Sequence, residues 1–166
     1  MELEDLKNKE HIEKINSEKA VNILKICVVI FILSFITYAI ALFFNNFDFG
    51  LIFEIISFIF TILAINKIKA KDYSKAKTFT IIAMLPVGWL IIYDLINLLV
   101  NVGEVITELI YYYTSPDQFF FYIEPYLYDV TLVAIIILLF VAYKSIRRAD
   151  GTDKNTNPTD AFYEKL

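Results

Sequence analysis

The chain has 166 residues, 58% of them hydrophobic, with a mean hydropathy of +0.58 and a formal net charge of −4. One cysteine and one histidine exclude an intramolecular disulfide, a Cys-based metal cluster and any site that needs two cysteines or two histidines. There are only four glycines, no Gly-rich phosphate loop, no HExxH or GxSxG sequence, and no basic aromatic surface for nucleic acid. The sequence therefore points away from an enzyme and implies no cofactor.

The apolar residues come in blocks. A run of about 20 such residues crosses the ~30 Å hydrocarbon core as a helix, and residues 20–44, 49–66, 78–101 and 125–143 qualify. All 15 Lys and Arg fall in three segments, five each: residues 7–25, 67–77 and 144–165. The connections 45–48 and 102–124 hold none. Positive residues stay on the cytoplasmic side, so the three basic segments face one compartment and an even number of crossings separates them. Four spans with both termini cytoplasmic satisfy this, in a cell membrane.

In chain order, residues 1–19 form a charged cytoplasmic helical extension. Asp5 with Lys9 and Glu10 with Lys14 are helix-supporting i,i+4 pairs. Asn16 or Ser17 is expected to cap the helix that follows. The first span, 20–44, is too long for a signal peptide. Lys25 snorkels from its inner end, Cys27 is a packing thiol, and Ser34, Thr37 and Ala41 share a face. After a tight outer turn, the second span carries Glu54, Ser57, Thr61 and Ala64 at spacings 3, 4, 3. This span is the shortest, yet without it one basic segment would lie outside.

The basic connection 67–77 sets topology. The third span, 78–101, places Ala83, Val87, Leu90, Asp94, Asn97 and Asn101 on one seam, and its helical pattern extends to Tyr113. Pro86 frees the carbonyl of Ile82, which predicts a kink, and Gly88 permits close approach. Ser115, Pro116 and Gln118 predict the start of a short amphipathic helix through Ile123. Its aromatic residues suit the outer headgroup level. The sharper reading of Tyr111, Tyr112, Tyr113, Phe119, Phe120, Phe121 and Tyr122 is a partner-binding surface. The fourth span opens at Pro125 and repeats the seam in Thr131, Ala134, Leu138, Ala142 and Ser145. Residues 146–166 are expected to form a disordered cytoplasmic tail.

Helices in lipid pack through small and weakly polar faces. Four such seams predict an all-α integral membrane four-helix bundle, antiparallel and up-down, over residues 20–145. The acids are one-sided. At 1.5 Å per residue Asp94 lies roughly 24 Å above the inner start of its span and Glu54 roughly 8 Å below the outer start of its own, a similar depth. A candidate cation site follows: Glu54, Asp94, Asn97, Asn101, Glu104 and Glu108, with Tyr38 and Tyr93 as further donors. Asp129, angularly opposite Thr131, is expected at the headgroups. An intramembrane carboxyl is a functional candidate by default. It can stay protonated and hydrogen-bonded, bind or relay a hard cation through oxygen ligands, or await a Lys or Arg from a partner subunit.

Two functions follow. The first is a small multi-pass protein acting by association with a membrane partner or a second copy, as an accessory subunit or a protective, immunity-type protein. The second is a cation channel or transporter component that uses the outer carboxyls. The excess of Lys over Arg, with abundant Ile, Asn, Phe and Tyr, suggests an AT-rich prokaryotic gene.

Overall fold

The computed structural model describes residues 2–43, 50–103, 106–107 and 119–152. Four long helices account for nearly all of them: α1 (Glu2–Phe43), α2 (Gly50–Lys69), α3 (Tyr73–Val100) and α4 (Phe119–Ala149). All four contain segments long and apolar enough to cross a membrane. Helix α2 packs on α3, α3 on α4, α4 on α1 and α1 on α2.

The interior mixes apolar side chains such as Leu24, Phe31, Leu132 and Leu139 with a few polar ones, and the outer faces are apolar too. Glu54, Ser57, Thr61, Thr80 and Ser145 are buried, while Ile26, Val29, Leu33, Ile59, Leu85 and Ile137 lie exposed on the outer faces. Water would drive the reverse arrangement; hydrocarbon tolerates the apolar exterior and leaves small and hydroxylated residues to mediate helix contacts. Thr61, Thr80 and Ser145 satisfy their hydroxyls within their own helices, donating to the carbonyls of Ser57, Ala76 and Val141 at 2.7, 2.8 and 3.0 Å.

Several boundaries differ from the sequence reading. Asn16 and Ser17 do not cap a helix. They lie inside α1, where their side chains donate to the carbonyls of Ile12 and Lys14 at 2.9 Å each. The side chains that cap a helix from outside also bond backward inside one, so α1 runs from the charged extension into the span without a break. Helix α3 begins at Tyr73, with the Asp72 carboxylate accepting from the Lys75 amide at 3.2 Å. It runs through Pro86 and ends at Asn101, whose N–H donates to the Asn97 carbonyl at 3.0 Å. Of the helical extension expected to Tyr113, the described residues 102–103 and 106–107 are helical beyond this cap, and the others lie outside the described residues. Likewise α4 starts at Phe119 and passes through Pro125, so no separate short helix ends at Ile123. The capping sequence at Ser115–Gln118 lies outside the described residues, as does the tail beyond Thr152. Gly88 does not enforce close approach: a Cβ there would meet Ile136 Cδ1 at an ordinary 3.5 Å.

The end that carries the basic segments is tied together. The Tyr73 hydroxyl donates to Glu13 Oε1 at 2.8 Å, and Lys71 lies 3.3 Å from the same oxygen. Lys77 pairs with Asp150. Helix α2 closes with Lys71 in the left-handed region at φ 56°, and α4 closes with Gly151 at φ 66°. In each case the next amide reaches back five residues, Asp72 to Lys67 and Thr152 to Arg147, the paired-carbonyl stop that favours a left-handed residue. The Tyr73 hydroxyl and then the Lys71 ammonium hold the Glu13 carboxyl below the usual carboxylate range. A lowered carboxyl contributes stability above its unfolded value, about 4.3, which is lost as pH falls through the folded one. Screening keeps this tie to a fraction of a kcal/mol. The protection of amides over residues 8–16, relative to their intrinsic exchange at each pH, is expected to fall below about pH 4, and unchanged protection there would contradict the tie.

Candidate functional site: the outer-half carboxyls

Glu54 stands one turn into α2 and is 1% exposed. It is buried because Ser57, Thr61 and Ala64 continue its face, and all four point inward. From α1, the Ser34 hydroxyl donates to Glu54 Oε2 at 2.7 Å, the length of a strong O–H···O bond. Toward the end that carries the basic segments, three rings close the core. Phe58 stands edge-on to Phe31 and Phe35, with centroids 6.1 and 5.3 Å away. Toward the other end, Tyr38 of α1 meets Tyr128 of α4 edge-on at 6.0 Å. The Tyr128 hydroxyl is directed toward Tyr38 and Glu54. Ser57 Oγ and Tyr128 Oη are buried and make no hydrogen bond. Buried hydroxyls are rarely left so, and these two flank Glu54.

A second pair lies between α3 and α4. Asp94 is half-buried, and its carboxyl is within hydrogen-bonding reach of Asp129. This corrects the expectation that Asp129 faces headgroups. The inward face of α4 is Leu132, Ile135, Leu139, Ala142, Ser145, Ile146 and Ala149; of the predicted seam Ala142 and Ser145 lie on it, while Thr131, Ala134 and Leu138 lie one position round. Asp129, three residues before Leu132, is on that face. Among the described residues, no three His, Cys, Asp or Glu side chains group to hold a metal ion.

The rest of the predicted polar ladder does not enter this interior. From Ile92 to Val100 every side chain of α3 except Asp94 is exposed, Asn97 included, and Asn101 is exposed too. Tyr93 also points outward, at 56% exposure, while Tyr38 joins the Glu54 cluster. Glu104 and Glu108 lie outside the described residues, as do Tyr111, Tyr112 and Tyr113. Of Phe119, Phe120, Phe121 and Tyr122 only the helical backbone lies within them. The chain matches no family model, and no curated protein or solved structure is significantly similar to it.

Proposed function

We propose that this is a multi-pass protein of the cell membrane, with four spans in an antiparallel up-down bundle, both termini cytoplasmic, and a role in association rather than catalysis. The ties of Glu13 to Lys71 and Tyr73, and of Lys77 to Asp150, support gathering the basic segments at one end. One observation carries the association reading: past Asp94, α3 is exposed and presents Asn97, with Asn101 at its cap, on an otherwise apolar surface. An amide side chain in hydrocarbon finds partners across a helix interface. The occupant is a membrane partner or a second copy of the chain. In-membrane crosslinking tests this. A complex is expected from the parent chain and should be lost in Asn97→Leu/Asn101→Leu, while a chain that stays single in both forms would contradict it.

A second reading has its own observation. Glu54, nearly inaccessible and ringed by Ser34, Ser57 and Tyr128, together with the Asp94–Asp129 pair, suits a proton- or cation-handling centre. Flux into liposomes is then expected from the parent chain and abolished in Glu54→Gln. A parent chain without flux removes this reading and leaves association untouched.

A further inference from the structure

The polar groups around the Glu54 carboxyl share one property. Ser34 of α1 donates to it, the Tyr128 hydroxyl of α4 is directed toward it and toward Tyr38, and Ser57 stands one turn along its own face of α2. Each brings a hydroxyl, which donates or accepts as its hydrogen rotates. Such a set serves a protonated carboxyl by accepting from it and an ionised one by donating to it. A fixed cation beside it would hold the carboxyl charged, but residues 26–66 and 78–143 contain no Lys, Arg or His. The carboxyls of Asp94 on α3 and Asp129 on α4 approach each other instead.

Ser57 departs from the other buried Ser and Thr side chains. Thr61, Thr80 and Ser145 donate to carbonyls of their own helices, whereas Ser57 Oγ is fully buried and makes no such bond. The two sides of the carboxyl differ as well. Toward the end that carries the basic segments, Phe31, Phe35 and Phe58 offer no polar side-chain atom. Toward the other end, Tyr128 leads to Tyr38, a half-buried side chain in the last turns of α1.

We propose that Glu54 is a proton-exchange site, with Ser57 accepting from the protonated carboxyl and the Tyr128 and Tyr38 hydroxyls passing the proton to and from the compartment away from the basic segments. On release, the carboxyl proton goes to Tyr128 Oη, the hydrogen of Tyr128 goes to Tyr38 Oη, and that of Tyr38 goes to water. Each tyrosine ends with one hydrogen, and the carboxylate is left with hydroxyl donors. Uptake reverses the steps. The inference rests on the proton-handling reading of Glu54 above and adds its ion and its route.

Infrared spectroscopy of the full chain in lipid nanodiscs tests it through the carbonyl stretch of a protonated carboxyl. A band of this kind, absent in Glu54→Gln, is expected to fall reversibly as pH is raised and to shift on transfer to heavy water. Tyr38→Phe/Tyr128→Phe keeps both rings and should slow that shift about ten-fold. Tyr38→Phe alone should slow it in the same direction and serves where the double variant does not fold. Tyr93→Phe, on an exposed ring of α3, should leave the rate unchanged. No Glu54-dependent band at any pH would overturn the proposal. So would exchange at the parent's rate in the tyrosine variants, which would bring the proton in by another route. A band displaced by sodium chloride at constant pH would overturn it in favour of a metal cation. Liposome flux is a separate readout: tyrosine-dependent exchange without flux keeps the site and removes transport, and flux without the band keeps the second reading and removes the proton.

Discussion

Phe31→Ala is expected to destabilise the fold by about 3 kcal/mol, the lower end of the range for a buried phenylalanine. The ring is fully buried on α1, edge-on to Phe58 and stacked on Phe35 at 6.4 Å. In water, part of the usual cost comes from returning apolar surface to solvent. In a bilayer the separated helices still contact apolar tails, so the loss is mainly of packing contacts around the cavity left behind. Unfolding in mixed micelles measures it. Ile26→Ala, at a position 51% exposed on the outer face of the same helix, should change stability by no more than about 0.5 kcal/mol. Equal effects at the two positions would mean that the buried face of α1 is misassigned.

The second large effect concerns the bond at 2.7 Å between Ser34 and Glu54. Ser34→Ala removes a donor from a carboxyl that is 1% exposed, and is expected to cost about 2 kcal/mol. Glu54→Leu removes the carboxyl together with its desolvation cost and leaves the Ser34 hydroxyl able to bond back to a carbonyl of its own helix, so it is expected to be nearly neutral; in the double variant both members of the buried polar pair are apolar, which is often tolerated. In the double variant the Ser34→Ala penalty should largely disappear. A double-mutant cycle in micelles reads this as a coupling of about 2 kcal/mol. Additive effects would mean that the bond contributes nothing net. Near-neutral stability in Glu54→Leu with any ion flux abolished would separate a functional carboxyl from a structural one.

What was legible depended on whether a residue marks its own side of the helix. In α2 the carboxyl and hydroxyls of Glu54, Ser57 and Thr61 stand out in an apolar run, and lipid excludes them, so the inward face is written in the sequence. In α1 that face is Ala20, Leu24, Cys27 and Phe31. These are apolar residues among apolar residues, and nothing in their chemistry separates the packed side from the lipid side. Thr37, taken for an inward residue, is exposed and donates to the Leu33 carbonyl at 3.2 Å. A hydroxyl that can satisfy itself on its own helix is a weak marker of burial. The same weakness at Thr131 displaced the first half of the predicted face of α4 by one residue, while Ala142 and Ser145 are buried as predicted, and hid the approach of Asp129 to Asp94. Asn97 and Asn101 continue the Asp94 seam in sequence, but their exposure depends on how far α3 extends past its neighbours, which spacing along one helix does not encode.

The central claim is that four spans place the three lysine-rich segments on one side of a membrane. Single cysteines introduced as Asn46→Cys, Ser74→Cys and Thr152→Cys in a Cys27→Ser background test it most directly, with a membrane-impermeant maleimide applied to intact cells and then to lysed ones. Positions 74 and 152 should label only after lysis, and position 46 in intact cells. Labelling of 74 or 152 from outside, or protection of 46 until lysis, would contradict the arrangement.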